Sequence, residues 1–454
     1  MTTTNYPKNA YAFHPSISEW MYLVESGKFV ACKEQIEIMA FVRKKLKEPD
    51  IVVKSEIIEK VIARSERYFF NIHPFQCFFI AFVVGVYRTD GTLLFDEYLF
   101  LAGRGTGKNG LLSSLIFNLP EVNNVKKYNI DIVATTEKQA MTSFEEVADV
   151  IDESEKLKKH YKATKKTITH KKSKSKIEYH TSNARSKDGL RSGVVVFDEI
   201  HEFENDDLIN VFTSGLGKKD YPRTFYLTTD GYVRGGFLDE LKNLVKQIFS
   251  GEVLDQLLFP YIFKLDNAEE VHDPKMWLKA IPMLAYSKTL MKQVKKEYDR
   301  ALTSASKMIE FLTKRMNIPT QDAFTAVAEW DVITGKISST DQIKEKFGED
   351  FLESEAQMIV KFGTKIKTTI DEVVETFRNM WKMLSDSIDK FMKENAVPIQ
   401  KAIDKIIAKF KPLMDFIKTI IDVVKNNLIP TLAVIFAPIA LQAYFIYNIL
   451  RAVF

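Results

Sequence analysis

Apolar and polar positions divide the chain into three textures. Over the first sixty residues the pattern is helical: Trp20, Leu23 and Val24 form a small apolar group, Gly27-Lys28 breaks it, and Ile38, Phe41, Val42 and Leu46 recur at helical spacing. From Phe69 onward, short apolar runs alternate with helical stretches. Residues 98–101, 130–134, 194–197 and 224–227 read as buried strands, and residues 111–119 and 139–150 as helices. Strands apolar on both faces, separated by helices, predict an α/β fold with a mainly parallel sheet. Beyond about Trp330 the strands stop. Ile366, Ile370, Val373, Phe377, Trp381, Leu384 and Ile388 recur at intervals of three and four, as on one long amphipathic helix with a core or coiled-coil face. Pro398 opens a second helical run through Ile403, Ile406, Ile407, Phe410 and Leu413. The expected division is a helical lead (1–67), an α/β domain (68–335) and an all-α C-terminal region (336–454), with a polar boundary at 334–341.

Composition adjusts this picture in four places. With 454 residues there is room for two or three cores. A net charge of +4 decides neither for nor against a polyanionic partner, but residues 156–176 are dense in lysine and hold no acid. That run suits DNA phosphates and equally suits solvated loop lysines. Cys32 and Cys77 have no metal-ligand spacing and read as reduced cytosolic thiols, and MTTTNYPKNA has no apolar signal core, so export is not expected. Residues 426–450 carry no charged side chain. That length could cross a bilayer or bury as a helix inside an assembly, which leaves a membrane contact of the tail open.

The strongest chemical signal is Ala102-Gly103-Arg104-Gly105-Thr106-Gly107-Lys108-Asn109, placed after a predicted strand and opening a helix. Glycines there let backbone N–H groups crowd around phosphate oxygens, and Lys108 is placed for the β and γ phosphates. Two positions depart from the usual pattern: Ala102 replaces a glycine, and Asn109 replaces a hydroxyl residue but offers a carbonyl oxygen to Mg²⁺. The second signal is Val194-Val195-Val196-Phe197-Asp198-Glu199, a buried strand ending in two acids. Asp198 is expected to hold Mg²⁺ through water, and Glu199 to polarise an attacking water. Phe75-Gln76 precedes the first core strand, where Gln76 reads the adenine edge or sits on a helix surface. Thr228-Thr229-Asp230-Gly231 ends the fourth strand, where the hydroxyls sense a γ phosphate or merely form a turn. His201 reads as a packed, hydrogen-bonded histidine rather than a catalytic one.

As an ordered set, these segments resemble the large subunit of tailed-phage terminases over about residues 15–335. Tyr22-Leu23-Val24-Glu25-Ser26-Gly27-Lys28 with Ala31-Cys32-Lys33 is similar to its N-terminal signature, and Phe75-Gln76 to its adenine motif. Gly103 to Gly110 resembles the phosphate loop of one branch. Thr135-Thr136 with Gln139-Ala140, Ser186 to Arg191, Asp198-Glu199-Ile200-His201-Glu202 and Thr228-Thr229 follow in family order. Asp273-Pro274, Trp277, Pro282 and Phe311 through Arg315-Met316-Asn317 resemble the close of the ATPase domain. The resemblance implies an ATP- and Mg²⁺-dependent motor that moves double-stranded DNA into a capsid. It implies an arginine finger at Arg104, with Glu199, Arg104 and Lys108 as the catalytic set. Gln76, Gly103, Gly105, Thr106, Gly107, Lys108, Asn109, Thr228 and Thr229 would hold the nucleotide, and Asp198 and Asn109 the metal. A portal protein, a small terminase subunit, a homo-oligomeric ring and the host cytoplasm are implied in the same way. After Gly335 no strand-borne aspartate is evident: Asp341, Glu349, Asp350 and Glu353 sit in helix-like sequence. The expectation is therefore that the family's nuclease domain is absent and that nuclease activity is missing. Residues 336–454 resemble, by composition, a phage tail tape-measure protein. Two rival readings follow: a tail structural fusion carrying the ATPase as a passenger, or a helicase-like ATPase of a mobile element.

Overall fold

The computed structural model describes residues 12–181, 191–203, 205–233, 235–253, 257–302, 305–319, 338–342 and single helical positions between 357 and 386. Contacts divide the chain into residues 1–327 and 328–454, and nearly all described residues belong to the first unit. The expected helix around Trp381 is described only at single helical positions, and none of its apolar stripe residues is among them; the helix after Pro398, the tail at 426–450, residues 186–190, Glu349, Asp350 and Glu353 lie outside the described residues, and Asp341 falls in a short described helical turn.

In chain order the elements are α1 (Pro15–Glu25), α2 (Lys33–Lys45), β1 (Ile51–Val53), α3 (Ser55–Tyr68), α4 (Pro74–Val84), β2 (Val86–Arg88), β3 (Glu97–Leu101), α5 (Lys108–Val122), β4 (Asn129–Ala134), α6 (Glu137–Asp152) and α7 (Glu155–His160). They continue with β5 (Tyr161–Ala163), β6 (Thr167–His170), β7 (Lys176–Thr181), β8 (Ser192–Asp198), α8 (Asp207–Thr213), β9 (Arg223–Thr228), α9 (Phe237–Ser250), β10 (Leu258–Ile262), α10 (Lys288–Ala301) and α11 (Ala305–Glu310), then one π-helical turn, Phe311–Arg315.

Eight strands form one sheet in the order β10-β3-β9-β8-β4-β7-β6-β5. The first six run parallel; β6 and β5 fold back as an antiparallel hairpin at the edge. The predicted strands are central to it: β3, β8 and β9 are buried at nearly every position. Successive strands joined through helices leave both faces to be covered, which explains why these runs are continuous apolar rather than alternating. On one face α4 contributes Phe75, Phe78, Phe79 and Phe82, packed against Phe259 and Tyr261 of β10. The helical lead belongs to this same core: Trp20 and Val42 are buried within it, and the Gln35 amide donates to Ile262 O at the end of β10. On the other face α8 and α9 cover Val195, Phe197 and Tyr226. The result matches the predicted α/β class with a mainly parallel sheet, and brings the carboxyl ends of β3, β9 and β8 side by side, the position at which such sheets bind ligands.

Candidate nucleotide site

The strand-to-helix loop after β3 is shaped by its glycines. Gly105 and Gly107 adopt φ of +92° and +84°, which L side chains rarely take. Gly103 is needed for another reason: a Cβ there would sit 1.9 Å from the Arg315 carbonyl oxygen. Two backbone bonds fasten the loop from outside, Gly103 N to Ala280 O (2.9 Å) and Arg104 N to Lys314 O (2.9 Å). Thr106 is buried, and its hydroxyl donates to Gly103 O at 2.8 Å, so this side chain staples the loop internally. Lys108 opens α5 with 7% of its surface exposed, and its Nζ donates to Ala102 O at 2.6 Å. Burial pulls its ammonium down to about 8, against the opposing charges of Glu199 and Asp198. Asn109 sits beside it, half-buried, in the first turn of α5.

The two acids end β8, in register with Leu227 one residue from the end of β9. Asp198 is buried, and desolvation followed by the charge of Glu199 raises its carboxyl to about 7. Glu199 occupies the left-handed region, φ +55°, which for a side-chain-bearing residue costs about 1 kcal/mol. That turn aims its carboxylate away from the strand. Burial pushes the Glu199 carboxyl up, but His201 and the charges of Lys108 and Lys314 outweigh it and hold it at about 2. Its Oε2 is buried without a hydrogen-bond partner, although His201 Nδ1 lies 3.1 Å away off the bonding line.

His201 is packed, as expected, but its position is more informative than that. Its backbone N–H donates to Thr228 Oγ1 (3.1 Å), its Nδ1 lies 3.0 Å from the same oxygen, and its Nε2 lies 2.6 Å from Lys314 Nζ. Thr228 has committed its own proton to Thr229 O at 2.6 Å. With the lysine donating to Nε2, the ring proton belongs on Nδ1, facing Thr228 and Glu199. His201 therefore ties the end of β9 to the π turn, with its Nδ1 3.1 Å from the Glu199 carboxylate. Nothing local in the sequence announces this, because Lys314 is 113 residues away. The π turn itself is a form frequent at functional sites.

Thr228 and Thr229 are fully buried, with both hydroxyls on neighbouring carbonyl oxygens. Gln76 is also fully buried, not on a helix surface. Its Oε1 caps α4 by accepting from His73 N, while its Nε2 has no partner and would lie 3.8 Å from a Cβ on Gly107. Tyr286 stacks on His73 at 4.2 Å and closes that side. Arg104 is half-exposed, with its guanidinium 3.8 Å from Glu310. Thus Lys108, Asp198, Glu199 and Gln76 converge, Thr106 and the two threonines of β9 support the walls, and Arg104 lies at the rim. Sequence reading passed over a separate polar cluster on β4 and β7. There Asp131, His180 and Glu178 place ligand atoms within 4.8 Å of one another, with Asp131 bonded to His180 (2.6 Å) and Ser192.

The glycine loop after β3, the Asp-Glu pair at the end of β8 and the β9 terminus between them thus lie side by side at the carboxyl edge of the sheet. Residues 74–247 match the family described as terminase large subunit, ATPase domain, and residues 252–342 match the terminase large subunit, endonuclease domain. The terminase large subunit of Lactococcus phage p2 is 26% identical over 234 residues, covering 50% of this chain and 43% of that protein. Protein YmfN of Escherichia coli K12 is 27% identical over 166 residues, 35% of each chain. The crystal structure of the HK97 bacteriophage large terminase superposes with a TM-score of 0.50 at 20% identity, over 61% of this chain and 58% of that one. That likeness is one of fold. The chain thus spans under half the length of its phage p2 relative. The second family match corrects the expectation that nothing of a nuclease domain is present. Its described part supplies β10 to the main sheet and, through Lys314 and Arg315, the outer wall of the nucleotide loop. The tape-measure resemblance concerned residues 336–454, and the family matches end at residue 342.

Proposed function

We propose that this chain is the ATP-hydrolysing motor of viral DNA packaging, coupling hydrolysis to movement of double-stranded DNA into a capsid. The observation that carries the reading is the buried Lys108 facing Asp198 and Glu199 across the strand ends, with the unpartnered Gln76 amide beside Gly107. The site fits a nucleoside triphosphate. The glycine backbone and Lys108 would hold its phosphates, and Gln76 Nε2, an orphan donor, would meet the base edge. The donors also fit Mg²⁺, which takes oxygen ligands: Asp198 and Asn109 would hold it, and when bound it would neutralise charge on the phosphates. Glu199 orients water as a carboxylate and is held ionised for that task. His201 keeps Glu199 in place and links it to Thr228, so that the end of β9 moves with the acid. Arg104, half-exposed at the rim and 3.8 Å from Glu310, would leave that loose pair to serve as the arginine finger on the site's phosphates. DNA, a portal protein, a small terminase subunit, a ring of copies and the host cytoplasm as place of action belong to this same proposal.

The test is ATP turnover by the full chain, with and without duplex DNA, beside Lys108→Ala. Turnover should be measurable in the wild type and lost in the variant. Equal rates in both would show that the loop does not hold phosphate.

A further inference from the structure

The lysine-rich run that the sequence left between DNA contact and solvated loop has a definite shape. It is the edge hairpin β5–β6 with the turns on either side, paired Tyr161 to His170 and Ala163 to Ile168. Lys156, Lys158, Lys159, Lys162, Lys165, Lys166, Lys171, Lys172, Lys174 and Lys176 are all exposed. Among the described residues, the one ion pair these lysines make is Lys158 with Glu155 at the base. No acid lies between Lys156 and Lys176: Asp152, Glu153 and Glu155 precede the run, and Glu178 on β7 follows it, half-buried and accepting from Thr167 (2.9 Å).

Its turns are built, not loose. At the tip, Thr164 and Thr167 exchange backbone and hydroxyl bonds of 2.9–3.1 Å. In the second turn, buried His170, Ser173 and Ser175 bond one another at 2.7 Å, and Lys127 N donates to Ser173 O. The hairpin base is fastened to the far end of α5: Tyr161 OH donates to Glu121 (2.8 Å), which pairs with Arg64 (2.5 Å), and Tyr161 stacks on Phe117. An edge strand gains from lysines simply as protection against pairing with another chain. That role needs charge on the strand, whereas here five of the ten lysines lie on ordered turns, three on α7 and only Lys162 and Lys176 on strands.

We infer that this hairpin is the surface that grips duplex DNA, through its phosphates and without reading sequence. Lysine ammonium groups on ordered turns are point charges for a polyanion, with no planar fork for base edges. The contact is attached to the C-terminal end of the helix whose N-terminus closes the candidate phosphate loop, so DNA and nucleotide would sit at two ends of one helix. This assignment rests on the DNA-motor reading for its partner, not on hydrolysis.

The experiment measures full-chain binding to labelled duplex DNA over a salt series without nucleotide. The variant replaces Lys162, Lys165, Lys166 and Lys172 with glutamine; a second carries arginine at the same four positions; a third carries glutamine at Lys288, Lys292, Lys295 and Lys296 on α10. Each lost phosphate contact removes roughly 0.9 from the slope of log affinity against log salt, so the hairpin glutamine variant should flatten it by about 3–4. The arginine variant should keep the wild-type slope. A full slope in the hairpin glutamine variant, or the loss falling on the α10 variant, overturns the assignment. So does a wild type that binds an acidic protein such as polyglutamate but not duplex. Because turnover is read separately, a wild type that binds through the hairpin yet hydrolyses no ATP would sink the ATPase reading and leave this one standing.

Discussion

Replacing Glu121 with glutamine should loosen the basic hairpin and make its stability insensitive to acid. Glu121 is the hub of a small half-buried network. Its Oε2 is 2.5 Å from Arg64 Nη1, its Oε1 accepts from Tyr161 OH (2.8 Å) and lies 3.6 Å from His170 Nε2, and Arg64 stacks over Phe117 at 4.5 Å. Burial pushes the Glu121 carboxyl up, but the Arg64 hydrogen bond and charge, with Tyr161, outweigh it and hold it at about 2 instead of 4.5. A fall of that size corresponds to about 3 kcal/mol favouring the ionised folded form. Glu121 is 26% exposed, which trims the figure to about 2–3 kcal/mol after solvent screening. The sign follows from the depressed carboxyl. The stabilisation is fully present above pH 4.5, declines as pH falls from there, and is gone below about 2.

The assay compares urea unfolding of wild type and Glu121→Gln at pH 7 and at steps below pH 4.5, using the difference between the chains so that other carboxylates cancel. The variant should be weaker by about 2–3 kcal/mol at neutral pH, with the gap closing toward pH 2. Amide exchange in β5 and β6 should quicken before the central strands do, since an edge hairpin opens at lower cost. A gap below about 0.5 kcal/mol at pH 7, or one that does not shrink in acid, would refute the reasoning, because it would mean that Arg64 contributes nothing specific to the ionised form.

Three further predictions concern the candidate nucleotide site. Glu199→Gln should keep nucleotide binding and lose hydrolysis. His201→Asn, whose amide N–H replaces Nδ1–H, should retain turnover, while His201→Gln, which serves only the Lys314 side, should lose about 10- to 100-fold in kcat with little change in KM, the value of one charged hydrogen bond. Steady-state kinetics decide this, and equal losses in both histidine variants would make His201 a packing residue. Gly107→Ala meets only ordinary contacts and pays about 1 kcal/mol for its left-handed backbone. Gly103→Ala must part the loop from the Arg315 carbonyl and should abolish nucleotide affinity in calorimetry; comparable affinities for the two would show that the loop and the π turn separate freely.

What the sequence made legible here was local. Val194 to Asp198 are apolar up to the acid because a central parallel strand is buried on both faces until its ligand-facing end, and the glycine loop betrays itself because Gly105 and Gly107 need left-handed φ. The β5–β6 hairpin was not legible for the opposite reason. Its strands are three and four residues long, carry lysine and threonine outward, and rest on little more than buried Tyr161, Ile168 and His170, which is too short and too polar for periodicity to register. Nor can spacing reveal that Lys314 meets His201, or that Glu121 meets Tyr161. The consequence is mechanical. α5 has 15 residues, roughly 22 Å at the helical rise, with Lys108, the proposed phosphate ligand, in its first turn and the hairpin's anchor, Glu121, in its last. The helix is buried along most of that length, with Pro120 in its last turn beside the anchor, so close packing limits how far its two ends can move independently. On the proposed reading, a displacement of Lys108 by phosphate would reach Tyr161 and the lysines beyond it through α5 itself, the property a translocating grip on DNA requires.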